Sequence, residues 1–275
     1  MPLDEKDLIA RAKSGDAQAF DRLSTAARPQ VLALMRRMIG HPEDAEDVAQ
    51  EATIAAWNNI AGFRGDAAFA TWLTAIAARK AADHLRRQKR WRREAQVAYA
   101  NLCATSETLS GEVVSTASDP EFVFDLREHV AYCFTCVGRS LPPDEHAALV
   151  LRDVVGMSAR EASTALGVSD SVLRHRLAAA RAAMTGTYDG LCALVNKQGI
   201  CHQCKGLRAL ASKDRKGPPV PDIDDFAQRI ALVRAAPPHG GMDALHDLFW
   251  RRTKQVEDDD LGSTVTASDC AAPTE

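Results

Sequence analysis

Four of the seven cysteines in this 275-residue chain form two C-x-x-C pairs, Cys133-Phe134-Thr135-Cys136 and Cys201-His202-Gln203-Cys204. Two such pairs are the donor set of a four-thiolate zinc site. About 64 residues separate them, so the spacing alone does not close a site, and Cys192 is a further candidate ligand. Three readings stay open at this point. Cys133, Cys136, Cys201 and Cys204 hold zinc or another metal; the thiols are redox-active; or Cys133 and Cys136 pack on a helix face beside Val130, Phe134 and Val137. Zinc is the one cofactor with a candidate pattern. Gly-rich phosphate loops and hydrolytic serine or carboxylate constellations are missing from the sequence, and an enzyme is not expected.

Charge is distributed for two kinds of partner. From Arg79 to Glu94 eight Lys/Arg face two acids, Asp83 and Glu94. Such a stretch suits phosphates. From His41 to Glu51 five acids (Glu43, Asp44, Glu46, Asp47, Glu51) occur with no Lys or Arg, which suits a basic protein surface. Each run taken alone also fits a solvated helix face. The total of 34 basic against 37 acidic residues, net −3, conceals this asymmetry.

The elements that must position these residues read as helices. Apolar residues make up 46% of the chain and aromatics 5%, with abundant alanine. No strand-like alternation persists, so the fold is expected to be all-α. Leu8–Ser14 and Ala17–Ile39 read as helices, the second kinked or interrupted near Pro29. Pro42 suits the first turn of a helix running to about Asn59. After a glycine-containing loop over 61–66, Phe69, Trp72, Leu73 and Ile76 share one face of a helix that leads into the basic stretch. A linker rich in Ser, Thr and Glu follows. Leu141-Pro142-Pro143 then breaks the chain ahead of a helix through Leu151. Ser158-Ala159-Arg160-Glu161 is a capping box. Gly167 suits a left-handed turn residue, and Ser169 can cap the next helix, in which Leu173 and Leu177 point inwards. Ser171, Arg174, His175 and Ala178 share the opposite face. This is a helix-turn-helix pattern, or else an ordinary helical hairpin. Phe226, Ile230 and Val233 mark a later amphipathic helix, and Met242, Leu245, Leu248 and Phe249 another.

The N-terminus carries no secretory signal pattern, and no apolar run approaches the roughly 20 residues of a membrane span. A cytoplasmic protein without membrane attachment is expected. In such a compartment seven cysteines do not make a disulfide framework.

The motifs carry a resemblance. Asp44-Ala45-Glu46-Asp47-Val48-Ala49-Gln50-Glu51, Trp57, Phe63-Arg64-Gly65, Thr71-Trp72-Leu73, Ile76-Ala77 and Asp83-His84-Leu85-Arg86-Arg87 resemble region 2 of the extracytoplasmic-function sigma factors of bacterial RNA polymerase. Leu141-Pro142-Pro143 through Arg181, with Leu166-Gly167-Val168-Ser169 and Arg174-His175-Arg176-Leu177, is similar to region 4 of the same family. The two blocks occur in the family's order and cover about two-thirds of the chain.

The resemblance implies an alternative sigma factor, which binds core polymerase and directs promoter recognition. Region 2 would occupy 1–95, a linker 96–120, region 4 121–185, and an extension with an acidic tail 186–275. The acidic helix would dock on the polymerase β′ subunit through Asp44, Asp47, Gln50 and Glu51, carboxylates being apt partners for guanidinium groups. The β subunit of core polymerase is a further implied partner. The loop over 61–69 would receive a flipped −10 base, with Phe63 and Phe69 stacking, walling the pocket or simply packing in the core, and Arg64 and Asp66 beside them. Trp72 reads as core. Arg79, Lys80, Arg86 and Arg87 would grip phosphates. Ser171, Arg174 and His175 would face −35 base edges, with Arg176 and Arg181 on phosphates. Ala178 and Ala179 stand where family members often carry larger or basic residues, so base readout is expected to be sparse. An anti-sigma factor is a further implied partner. Apart from the resemblance, the placement of the cysteines suggests that the extension masks or stabilises region 4.

The competing reading is a one-component helix-turn-helix regulator with a metal- or redox-sensing tail. The acidic helix and the 63–72 segment argue against it. A dithiol oxidoreductase would need an α/β pattern that the chain lacks.

Overall fold

The computed structural model describes residues 4–87, 111–112, 115, 126–138, 141–191 and 225–236. All regular elements among these are helical, as composition and periodicity predict.

The N-terminal bundle comprises α1 (Glu5–Lys13), α2 (Ala17–Met38), α3 (Pro42–Asn59), a 3-10 turn at Ile60–Gly62 and α4 (Phe69–Arg87). Short polar side chains start the helices. Asp16 accepts from the backbone N–H groups of Gln18 and Ala19 at 3.0 and 3.1 Å, satisfying donors that a helix start leaves open. Pro42 opens α3, where a missing N–H costs nothing. The start of α4 is capped from a distance: Glu5 of α1 accepts from the Phe69 N–H at 3.1 Å.

Pro29 does not interrupt α2, which runs unbroken from Ala17 to Met38. The proline faces solvent, and Thr25, whose carbonyl it deprives of a helical partner, is also exposed. Leu23, Ala27, Val31, Leu34 and Met38 bury a stripe that holds both halves against α4. On α3 the buried face is nearly all alanine (Ala45, Ala49, Ala52, Ala56), and α4 answers with Ala77, Ala78, Ala81 and Ala82. Small residues let the two backbones approach closely.

The C-terminal bundle comprises α5 (Leu126–Gly138), α6 (Pro143–Leu149), a π-helical turn at Val150–Val154, α7 (Ala159–Leu166) and α8 (Asp170–Leu191). The helix expected to reach Leu151 as regular α gives way at Val150. The wider turn keeps Val150 and Leu151 in the core and aims Asp153 at Arg181. The capping box is present: Ser158 Oγ accepts from the Glu161 N–H at 3.2 Å, and Glu161 accepts from the Ser158 N–H at 2.8 Å. Gly167 takes the left-handed conformation at φ +65° and closes α7. Ser169 accepts from the Val172 N–H at 3.3 Å and starts α8.

Ser158→Ala is expected to cost about 1 kcal/mol, read as a melting shift of about 2–4 °C for a unit in which both bundles share one core. The Ser158 hydrogen bonds hold the Glu161 carboxyl below its ordinary 4.5. The cap's contribution is therefore complete above that value and lost as pH falls through the lower folded one. Thermal melts at neutral and acidic pH should show the Ser158→Ala deficit shrinking with acid.

A last described helix, α9 (Phe226–Ala235), lies on α5 and on the π-helical turn. Ile230 and Val233 are buried, as their spacing predicts. The two bundles and α9 share one apolar core. Its seams run between α4 and the pair α6 and α7, and between α2 and α5. The expected helix around 242–249 lies outside the described residues.

Candidate nucleic-acid interface

Five aromatic rings fix the outer end of the N-terminal bundle. Phe20 packs on Trp57 and Phe69 at centroid separations of 5.0 and 5.8 Å, and Phe63 on Phe69 and Trp72 at 6.1 and 5.0 Å. Phe63 is 3% exposed and Phe69 1%. Phe63 thus sits inside the cluster rather than on the loop, and its ring is closed to a stacking base in this arrangement. The loop beyond it carries Arg64 and Asp66, which pair with each other at 3.0 Å and are both well exposed.

Trp72 shows its other side to a surface groove of about 400 Å³, lined by Asn59, Gly62, Trp72, Ile76, Arg79, Lys80 and Asp83. Trp72, Ile76, Arg79, Lys80 and Asp83 follow at i, i+4, i+7, i+8 and i+11 along α4, one continuous strip. An indole wall with two cations beside it suits a stacked base and its flanking phosphates. The sequence places Trp72 in the core and Ile76 on the same helix face, and gives neither Ile76 nor Asn59 a part in a nucleic-acid site. Helical periodicity puts Phe69, Trp72, Leu73 and Ile76 on one face and does not separate them; burial does, with Phe69 and Leu73 sealed at 1% exposure and Trp72 and Ile76 partly exposed.

Apart from Arg79, the basic residues on this strip and at its end have partners within the molecule. Lys80 lies 3.6 Å from Glu51. Arg86 pairs with Asp83 and, at 2.9 Å, with Asp144 of α6, and the Asp144 hydrogen bond raises its pKa. Arg87 donates to the Asp83 carbonyl at 3.3 Å. Arg79 is exposed.

On α3, Asp47, Gln50 and Glu51 stand exposed on one side. Asp44 is drawn inwards between two imidazoles, with His41 at 4.0 Å and His84 at 3.9 Å. Burial pushes His84 below its ordinary 6.5, and the Asp44 carboxylate pulls the other way.

On α8, Ser171, Arg174, His175 and Ala178 are exposed together while Leu173, Leu177, Ala180 and Met184 are buried. Two arginines expected on phosphates are engaged within the molecule. Arg181 holds Asp153 with two bonds of 2.8 and 2.6 Å, and Arg176 lies half-buried, 3.5 Å from Asp144. Asp153 is buried and requires a counter-charge, which accounts for the Arg181 pairing.

Cys133 lies on α5 with its sulfur 3.7 Å from His129 Nε2. Cys136 follows in the same helix. Its side chain, like Cys192, Cys201 and Cys204, lies outside the described residues.

Comparison with known proteins draws these surfaces together. The sigma-70 region 2 family model matches residues 23–91 and the sigma-70 region 4 model residues 134–184. The RNA polymerase sigma-H factor of Pseudomonas aeruginosa is 32% identical over 181 residues, 66% of this chain and 91% of that protein. The ECF RNA polymerase sigma-E factor of Escherichia coli is 31% identical over 182 residues, 66% of this chain and 93% of that one. The chain belongs to the extracytoplasmic-function sigma factors.

This sigma factor is therefore an alternative promoter-directing subunit of RNA polymerase, and the one-component regulator reading falls. The region 2 match takes in α3, the groove and α4, and the region 4 match takes in α6, α7 and the exposed face of α8. The sigma factor CnrH of Cupriavidus metallidurans is 32% identical over 186 residues, 67% of this chain and 94% of that one. A solved structure of CnrH in complex with the cytosolic domain of CnrY aligns with a TM-score of 0.45 at 27% identity, over 67% of this chain and 97% of that one. The sigma factor's region 4 match ends at residue 184, so α9 lies beyond it. Among the described residues no helix is long and apolar enough to cross a membrane.

Proposed function

We propose that this sigma factor divides its work among three surfaces and has no catalytic residue of its own. The exposed acids of α3, Asp47 and Glu51, with the Gln50 amide between them and Asp44 behind, dock on the polymerase β′ subunit. The α4 groove takes one unstacked base of the −10 strand against Trp72, with Arg79 and Lys80 on phosphates and Arg64, Asp66, Arg86 and Arg87 around it. Phe63 supports the groove from beneath. The α8 face reads the −35 element through Ser171, Arg174 and His175, while Arg176 and Arg181 reach phosphates only after leaving Asp144 and Asp153. Region 2 occupies 1–95, the linker 96–120, region 4 121–185 and the extension 186–275. The β subunit of core polymerase is a further partner, and the protein works in the cytoplasm. The relative CnrH is bound by the cytosolic domain of CnrY. An anti-sigma protein of that kind is a proposed partner here.

The observation that carries this reading is the strip on α4 that unites one partly exposed indole with two cations in a groove. Transcription across a random promoter library, with bacterial core polymerase and the full chain, tests it. Protein-dependent starts should share one pair of upstream elements. Asp47→Ala with Gln50→Ala should lower their yield about tenfold, the scale of an interface hot spot. Duplex binding without any protein-dependent start would overturn the proposal.

The bundles as packed are the resting form. Elements named −10 and −35 lie roughly 25 base pairs apart, or about 85 Å at 3.4 Å per base pair. Two bundles in contact cannot reach both. In this form Asp144 also occupies Arg86 and Arg176. The extension supplies a fastener, α9, which touches both sides. Arg37 of α2 donates to the Val233 carbonyl at 3.3 Å, and Arg234 donates to the Asp153 carbonyl at 2.6 Å.

A further inference from the structure

Helix α5 presents a donor set that promoter recognition does not use. His129 is buried to 0% exposure, and its Nε2 lies 3.7 Å from the sulfur of Cys133 one turn on. Residues 129, 133 and 136 fall at i, i+4 and i+7. At 100° per residue they span about 60° of the helix circumference. One neutral imidazole and two thiolates are a soft donor set suited to zinc. The 3.7 Å separation has the right size. Zinc bonds of about 2.3 Å to sulfur and 2.0–2.1 Å to nitrogen at the tetrahedral angle put the two donors about 3.5 Å apart. Among the described side chains no three such donors are gathered. The third place follows from the helix register of Cys136.

We propose that His129, Cys133 and Cys136 form three corners of a tetrahedral site for zinc or another thiophilic divalent cation, with a fourth thiolate from elsewhere in the chain. The sequence offered two C-x-x-C pairs; the structure adds a histidine and moves the centre of the site to α5. On binding, both thiols release their protons to solvent, and the imidazole gives its Nε2 lone pair with the proton kept on Nδ1. The same helix carries α9 and meets α2, where the Thr135 hydroxyl donates to the Arg36 carbonyl at 3.4 Å. A bound ion would brace the helix on which the resting form is assembled.

The test is metal content of the full chain, purified reduced and without chelator. About one zinc per chain is expected, replaceable by cobalt(II) with the strong visible absorption of a tetrahedral thiolate complex. His129→Ala, Cys133→Ser and Cys136→Ser should each weaken zinc binding on the order of 100-fold. Single serine replacements of Cys192, Cys201 and Cys204 identify the fourth donor. Alkylation of the parent chain, read cysteine by cysteine by mass spectrometry, needs no variant: zinc should protect Cys133 and Cys136. The proposal is overturned if reduced chain binds no zinc, if the triple variant at 129, 133 and 136 binds as tightly as the parent, or if zinc leaves both cysteines open to alkylation. None of these readouts depends on the promoter activity.

Discussion

Phe69→Ala is expected to unfold the N-terminal bundle, whereas Trp72→Ala is expected to leave it folded and to impair promoter opening. The two rings lie 5.7 Å apart on the same helix, and their surroundings separate them. Phe69 is enclosed by Phe20, Phe63 and Trp72. Removing a buried phenyl costs about 3–5 kcal/mol, a large part of the roughly 5–15 kcal/mol that holds a domain together. Trp72 is half-buried and borders the groove. Its loss removes some packing, but also the surface on which a base would stack, worth about 1–3 kcal/mol, or roughly ten- to a hundredfold in open complex. Denaturant unfolding followed by circular dichroism, beside permanganate footprinting of the promoter bubble, separates the two. Equal loss of stability in both variants, or normal opening with Trp72→Ala, would remove the groove from the mechanism.

That contrast also marks how far the sequence is legible. Local signals survive intact: the Ser158/Glu161 box, the left-handed Gly167, Pro42 at a helix start and the inward Leu173 and Leu177 are each set by residues within a turn or two. The all-α fold and both sigma regions follow from such signals. What fails depends on distant partners. Nothing near Arg181 announces Asp153, 28 residues back, and nothing near Arg86 announces Asp144 across the seam. The expected interruption at Pro29 is overridden by tertiary packing, since the buried stripe of α2 carries the helix through a proline on its solvent face. The π-helical turn arises the same way, because burying Val150 and Leu151 while aiming Asp153 at Arg181 needs an extra residue in the turn. Periodicity ranks Phe69 and Trp72 alike, and only the positions of Phe20 and Phe63 decide which ring is sealed. His129 escaped notice because an i, i+4 pairing with a cysteine gains meaning only once the helix is in place.

Replacing Val233 with arginine should detach α9, part the two bundles and raise promoter-dependent transcription. Val233 is 1% exposed, and its carbonyl accepts from Arg37. Burial pushes the Arg37 guanidinium down to about 10, so it remains a cation at neutral pH. A second cation at 233 would be forced into the core beside it. Loss of the buried valine alone removes about 1.5–3 kcal/mol of docking. If about one molecule in a hundred is open at rest, that loss raises the open fraction to between about a tenth and three-fifths, a gain of roughly ten- to sixtyfold in competent molecules. Asp144→Ala acts on the same equilibrium through a part-exposed ion pair, and its effect should be small, about 0–1 kcal/mol. Small-angle scattering of the full chain should show a larger radius of gyration for Val233→Arg, and transcription with core polymerase should rise with it. The reverse result, weaker transcription from a particle of unchanged size, would mean that α9 supports the fold of region 4 instead of restraining it. The two outcomes are separable because Arg37 belongs to region 2. A helix that only propped region 4 would gain nothing from hydrogen-bonding across the seam.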